Sequence, residues 1–320
     1  MFRVSYPDQV FETQGIKRVA RAVKDLVTNP GATLALVGDI GAGKTVAAWS
    51  ALRAYEDAHV IWVQQPDREH LAINTVVSSM VRALKGKEEG IRRDVEARLE
   101  QLRGLLGKAS EITRVVLVVD DAHALPITLY RQFKRLMELH YAARKGLFSL
   151  LLIGNPELQM RLAAVPEKVA RVRFVELKKL TAAEAVGLAQ HVAQLSRPAI
   201  DDAACERVSK RTQNPLEISS LVAAVQDHAY ELGEKKVTVQ VVDAWLTTSL
   251  KLLVDLSADS QRDVARHLGW SPTKVSQVIS GKYPAADGAR DKLISGLAAI
   301  RAGSAGNPKS KVENAEVGVS

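Results

Sequence analysis

Residues Gly38 to Thr45 read GDIGAGKT, which fits G-x-x-x-x-G-K-[ST], and they lie between an apolar run, ATLALV, and a helical stretch, TVAAWSALRAY. Those residue types at that spacing hold a chain of phosphates. The glycines among Gly38, Asp39, Ile40, Gly41, Ala42 and Gly43 let backbone N–H groups turn inward around anionic oxygens, and a helix starting at the end of the loop adds positive potential. Lys44 is placed to reach the β and γ phosphates, and the Thr45 hydroxyl to ligate Mg²⁺, so ATP and Mg²⁺ are the expected ligands.

A phosphate loop of this kind needs an acidic partner at the end of another buried strand. RVVLVVDDAH supplies it: Asp120 is expected to hold the metal ion through water. Asp121 has two readings, a carboxylate that orients or deprotonates the attacking water, or an N-cap of the helix that follows. His123 reads as a packing or capping residue. After the next apolar run comes GNPEL, which puts Asn155 at a strand end, either within reach of the γ-phosphate or the attacking water, or simply starting an Asn-Pro turn.

A second pattern stands near the end of the chain, in QRDVARHLGWSPTKVSQVISGKY, Gln261 to Tyr283. Val264, Ala265 and Leu268 share the inner face of one predicted helix, Gly269 takes a turn, and Val275 and Val278 share the inner face of a second. Ser271 fits an N-cap and Pro272 the first helical position. That is a helix-turn-helix, and the outward Ser271, Thr273, Lys274, Ser276 and Gln277, with Lys282 and Tyr283 close by, suit base edges and backbone phosphates of duplex DNA. A hairpin used only for packing is the alternative.

The elements that carry these residues follow from periodicity. ATLALVG, HVIWVQ, RVVLVVD, FSLLLIG and VRFVEL are short β-rich runs separated by amphipathic or charged segments, which predicts an α/β fold with a parallel sheet covered by helices. From Thr181, an N-cap with Glu184 three residues on, the pattern turns wholly helical to about Trp245. The expected domains are an α/β nucleotide-binding core over 1–180, a helical lid over 181–248, an all-α helix-turn-helix domain over 249–300 and a disordered tail over 301–320 that lacks aromatics and large aliphatics. Between the second and third strands, Lys85, Lys87, Arg92 and Arg93 are interleaved with Glu88, Glu89, Asp94, Glu96 and Glu100, which favours a solvated amphipathic helix over a DNA-facing patch.

The 320 residues allow two or three domains, and 47% hydrophobic with 25% charged residues is ordinary for a folded chain. No apolar run approaches the ~20 residues of a membrane span, so no membrane is expected. The N-terminus lacks the pattern of a secretion signal, and Cys205, the single cysteine, has no internal partner; both point to a reducing cytoplasm. The net charge of +8 permits a polyanion partner without demanding one.

Gly38 to Thr45, Asp120-Asp121 followed by Ala-His, and GNPEL, in this order, resemble an AAA+ ATPase, and within that group the branch of transposition protein B of phage Mu, TnsC and TniB, and the ExeA-type secretion ATPases. VFETQGIKRVARAV is similar to the lead-in by which those proteins contact adenine, and TQNPLEISSLVAAV falls where their lid carries a G-x-P-R-like turn. Leu216 and Glu217 follow Pro215 where an arginine that touches ATP often stands, and Asp121 replaces a glutamate one methylene longer, which implies slow hydrolysis. The helix-turn-helix resembles that of the Mu protein, where it precedes the ATPase instead of following it.

The resemblance implies hydrolysis at a junction between subunits, with an arginine from the neighbour against the transferring phosphoryl group. Arg171, then Arg173, with Arg161 behind them, stand nearest the expected place. It also implies a head-to-tail homo-oligomer, as a ring or helical filament on double-stranded DNA, and a transposase as partner. The expected function is ATP-dependent target selection in DNA transposition. A replication initiator or helicase loader and a nucleotide-gated regulator are the alternatives, and a secretion ATPase comes last.

Overall fold

The computed structural model describes residues 9–63, 69–86, 90–164, 172–246, 261–280, 288–289 and 292–297. Arg171, Lys282, Tyr283, Lys87 and the expected tail lie outside them. The chain divides into two compact units, Met1–Val192 with Ser209–Ser220, and Ala193–Val208 with Leu221–Ser320.

The first unit is built on five parallel strands, β1 Thr33–Gly38, β2 Ala58–Trp62, β3 Arg114–Val119, β4 Ser149–Gly154 and β5 Val172–Leu177, in the order β2-β3-β4-β1-β5. These are the five strands expected from the apolar runs. Both faces of the inner strands are covered, so they read as continuous apolar runs, but alternation still assigns each residue to a face. Ala35, Val37, Leu117, Val119, Leu150 and Leu152 join one core, while Leu34, Leu36, Val116, Val118, Leu151 and Ile153 join the other. The first core is closed by α3 Ile73–Lys85, α4 Val95–Ile112, α5 Ile127–Met137 and α6 Glu157–Ala163, the second by α1 Gln14–Thr28 and α2 Lys44–Arg53.

Strand order decides where a ligand can sit. In an open parallel sheet the crevice lies at the carboxyl ends of the strands where the connections reverse direction, and here β1 stands between β4 and β5 while the chain leaves it for the far edge at β2. Val37 is paired with Gly154, and Val119 with Leu152. The loops after β1, β4 and β3 therefore emerge side by side.

Two contacts within the first unit hold α7, Ala182–Ala193, to the lead-in. Thr181 and Glu184 form the expected capping box at the start of α7: the Glu184 N–H donates to Thr181 Oγ1 at 3.2 Å, and Glu184 Oε2 accepts the Thr181 N–H at 3.0 Å. Glu184 Oε1 also accepts the Gln14 N–H at 2.8 Å. Nearby, a Cβ built on Gly187 would meet the Phe11 ring at 2.7 Å, so glycine there lets the ring approach α7 closely.

In the second unit, α8 Asp202–Ser209 and the continuation of α9, Pro215–Glu231, are helical as expected. A two-stranded parallel pair, β6 Ala199–Ile200 with β7 Lys236–Val237, interrupts that pattern. Two residues are too short to show a period of two, which is why the stretch reads as helical in sequence. The helices Gln261–Leu268 and Pro272–Ile279 have a core of their own, in which Val264, Ala265, Val275 and Val278 meet Leu293 and Leu297.

Candidate functional site

At the carboxyl edge of the sheet the geometry gathers around Lys44, Thr45 and Asp120. Gly41 and Gly43 adopt positive φ, 79° and 83°, which bends the loop between β1 and α2. Lys44 Nζ donates to the carbonyls of Gly38 at 3.0 Å and Asp39 at 2.8 Å. Burial pushes the Lys44 ammonium below its ordinary pKa, against the fields of Asp120, Asp121 and Asp39, which pull it back up. A phosphate brought against Lys44 adds negative charge and favours the protonated form.

Asp120 is held at both oxygens. Oδ2 accepts the Thr45 hydroxyl at 2.8 Å and Oδ1 accepts the Asp121 N–H at 2.9 Å. A hydroxyl and a carboxylate brought together are the hard oxygen donors that Mg²⁺ takes, directly or through water, and the pair fits that ion. Asp121 occupies the N-cap position of the short turn Ala122–Ala124 at φ 53°, yet its side chain makes no capping hydrogen bond. An aspartate tolerates this left-handed conformation better than most residues. Its exposed carboxylate is not occupied in capping, and of its two sequence readings the cap is the one the geometry does not use.

The Asn155 loop does something else. Asn155 Oδ1 accepts the Glu157 N–H at 3.0 Å, so the side chain starts the turn into α6, and its amide nitrogen is the part left for a ligand. His123 Nδ1 lies 3.5 Å from the Asn155 N–H and bridges the two loops, in keeping with a packing role. Behind them the buried Tyr130 hydroxyl donates to the Ala122 carbonyl, and burial pushes its pKa up to about 12. Arg161 Nη1 donates to the Leu125 carbonyl at 3.3 Å, which ties α6 to the segment following Asp120 and Asp121.

Arg173 stands apart from this cluster. It is paired in register with Leu34, whereas Leu177 pairs with Gly38, so it lies four strand residues back from the phosphate loop, ~13 Å at 3.3 Å per residue. On this edge strand it makes a surface ion pair with Asp25 of α1. It lies away from the phosphate loop of its own chain.

The C-terminal hairpin is fixed at its turn. Gly269, at φ 64°, ends the first helix in a Schellman arrangement: Trp270 N–H donates to the Ala265 carbonyl at 2.8 Å and Gly269 N–H to Arg266 at 3.2 Å. Ser271 caps the second helix by accepting the Lys274 N–H at 3.1 Å. Thr273, Ser276 and Gln277 are exposed, and Lys274 Nζ sits 4.6 Å from the centre of the Trp270 ring.

With this geometry in view, residues 29–162 match the family model described as an AAA domain. The five-stranded parallel sheet and its helices match an AAA+ P-loop core. No curated protein matches the chain. Among solved structures, the chain is similar to Cdc6p from Pyrobaculum aerophilum at 14% identity and TM-score 0.61, with 94% of this chain and 88% of that one covered. It is also similar to Aeropyrum pernix ORC2, solved in ADPNP-ADP complexes, at 14% identity and TM-score 0.60, covering 96% and 98%. Aeropyrum pernix ORC1, solved in complex with DNA, follows at 15% identity and TM-score 0.54, covering 95% and 97%. At these identities the likeness is one of fold. Among the described residues no helix is long and apolar enough to cross a membrane.

The sequence reading missed one contact of this AAA+ core. In the turn before α9, Asn214 and Leu216 hydrogen-bond to the phosphate loop itself. The signal was present as an Asn-Pro pair at a helix start, an N-cap followed by a first-turn proline, but nothing in the sequence says which loop such a turn rests on.

Proposed function

We propose that this protein is an ATP-dependent, duplex-DNA-binding ATPase that assembles head to tail on DNA and marks it for a transposase. The observation that carries the reading is the Thr45–Asp120 contact at 2.8 Å beside the Lys44 loop, in a chain that also bears a capped helix-turn-helix. ATP and Mg²⁺ would bind at the carboxyl edge of the sheet, with Lys44 on the phosphates, Thr45 and Asp120 on the metal and Asp121 on the attacking water. The position of Arg173 away from its own phosphate loop supports action in trans, since such a residue meets a nucleotide only across a subunit junction. A contact between two different surfaces repeats, and it closes a ring or winds a helix. Each added subunit brings further cations to a duplex carrying one charge per ~1.7 Å, so growth along DNA needs little sequence preference.

A second reading, a replication initiator, draws support from ORC1, solved with DNA, and from the near-complete coverage of this chain by the initiator fold. One experiment separates the two. Electron microscopy of the protein with random-sequence duplex and a non-hydrolysable ATP analogue is expected to show ATP-dependent filaments or rings, weakened by Arg173→Ala or Arg171→Ala. Monomers that recognise one sequence favour the initiator reading. Lys44→Ala is expected to abolish nucleotide binding and assembly, and unchanged binding in that variant would refute the ATPase reading.

A further inference from the structure

The turn that opens α9 is seated on the phosphate loop, within the first unit. Asn214 Nδ2 donates to the Ile40 carbonyl at 2.7 Å, and the Leu216 N–H donates to the Gly41 carbonyl at 3.2 Å. The other end of the Asn214 amide is equally occupied, because Oδ1 accepts the N–H groups of Leu216 at 3.0 Å and Glu217 at 3.4 Å and so caps α9. Thr212 fixes the turn from behind, accepting the Asn214 N–H at 3.1 Å while its hydroxyl donates to Glu217. The Asn214 side chain thus joins a helix start to Ile40, and the Leu216 backbone adds Gly41.

The seat adds a second demand for glycine at position 41, which a φ of 79° already favours. G-x-x-x-x-G-K-[ST] leaves position 41 open, yet a Cβ built on Gly41 would lie 2.5 Å from Asn214 Oδ1 and 2.9 Å from Leu216 Cβ. The carbonyls that receive the donors are also informative. A peptide group is planar and trans, so the Ile40 carbonyl and the Gly41 N–H lie on opposite edges of one rigid unit, and a donor that fixes the carbonyl aims the N–H away from itself. Backbone N–H groups are what such a loop offers to phosphate. The next peptide is pinned in the same way, by Leu216 on the Gly41 carbonyl and by the Ala42 N–H closing a turn onto Asp39 at 3.2 Å.

We propose that Asn214 is a positioning residue for the phosphate loop, setting the Ile40–Gly41 peptide so that its N–H is aligned for nucleotide before the nucleotide arrives. The inference rests on the reading of this loop as an ATP site. It gives the α9 turn a way to sense and hold the loop through a neutral amide, at a place where Leu216 rather than an arginine follows the proline. A nucleotide that moves the loop must move that turn, and the turn resists loss of the loop's bound shape.

The test uses the full chain and separates the amide's two jobs. Asn214→Ser keeps a good helix cap, as Ser271 does elsewhere in this chain, but is too short to reach Ile40 while capping. Asn214→Ser is expected to leave the melting temperature without nucleotide near that of the parent. It should raise the Kd for a fluorescent ADP analogue and the KM for Mg-ATP by roughly 3–10-fold, the value of one hydrogen bond, with kcat little changed. Gly41→Ala should lower the melting temperature, and by less in the Asn214→Ser background, because the side chain that the new Cβ meets has been shortened. Wild-type Kd and KM for Asn214→Ser, with Lys44→Ala unable to bind, overturn the role of Asn214 and leave the ATP site standing. Equal Gly41→Ala penalties in both backgrounds overturn the close approach of the Asn214 side chain to Gly41, leaving its positive φ and Leu216 to demand the glycine. Unchanged nucleotide binding in Lys44→Ala overturns the ATP site and the Asn214 role together.

Discussion

The phosphate loop and the C-terminal hairpin are both proposed to offer donors to anions, and they are built by opposite means. The loop presents backbone, held at the end of strands buried on both faces, so its chemistry depends on glycine conformation, on Lys44 and on what pins its carbonyls. The hairpin presents side chains, because its helical N–H groups are largely used within the helices, and Thr273, Ser276 and Gln277 stand exposed on its surface. A backbone site therefore writes itself into the sequence as a fixed spacing, whereas a side-chain site leaves its fold signature in the buried residues and its chemistry in residues free to vary. Damage should follow the same division: side-chain substitutions at the loop such as Lys44→Ala act on binding without unfolding, and those in the hairpin split into core residues that unfold it and surface residues that tune affinity.

The largest effect expected at the loop, after loss of Lys44, is at Asp121. If its carboxylate handles the attacking water, Asp121→Asn should lower kcat by roughly 10²–10⁴-fold with nucleotide affinity nearly unchanged, and Asp121→Glu should match or exceed the parent. Steady-state phosphate release measures both. Normal turnover in Asp121→Asn would reduce the residue to a left-handed turn former.

On the hairpin side, Leu293 is completely buried in the small core that also holds Val264 and Val275. Leu293→Ala should cost about 2–5 kcal/mol locally, enough to unfold so small a unit. Calorimetry should show an early transition while the Kd for ADP stays at its parent value. A single shared transition would mean that the two units do not unfold separately.

Lys274 is expected to give a smaller effect. Lys274→Ala should weaken DNA binding a few-fold at low salt and reduce the slope of log K against log salt by about 1, the loss of one phosphate contact. Fluorescence anisotropy across a salt series measures it. An unchanged slope would place Lys274 on Trp270 for packing alone.

The same contrast explains what was legible in advance. The inner strands β1, β3 and β4 could be read because each is an apolar run buried on both faces, the edge strands β2 and β5 because they are short β-rich runs between helical segments, and the loop because Lys44 and its glycines are chemically obligatory. β6 and β7 were not legible, since a two-residue strand has no period. Nor was the seat of Asn214 on Ile40, a contact between residues 174 positions apart that depends on how α9 comes back to the sheet. Asn155 and Asp121 mark the middle ground. Sequence placed them at strand ends, but only geometry shows Asn155 Oδ1 engaged in its turn and the Asp121 side chain making no cap.

The smallest expected effect lies at the joint between the lead-in and α7. Burial pushes the Glu184 carboxyl up, but the N–H groups of Thr181 and Gln14, the Thr181 hydroxyl and the charge of Arg18 outweigh it and hold the group below its ordinary pKa. A carboxyl depressed in the folded state releases its proton more readily there than in the unfolded chain, so its stabilisation is complete above the ordinary glutamate value and is lost as pH falls through the depressed one. The side chain is only partly buried, and solvent screening keeps the contribution under roughly 1 kcal/mol. Glu184→Gln retains an acceptor oxygen without the charge. It should lower the melting temperature slightly at pH 7 and narrow the gap to the parent as both are taken into acid. Melting curves measured from pH 7 down to the acid limit test this, and a gap that stays constant would show that Glu184 holds Gln14 and Thr181 through hydrogen-bond geometry alone, with its charge making no difference.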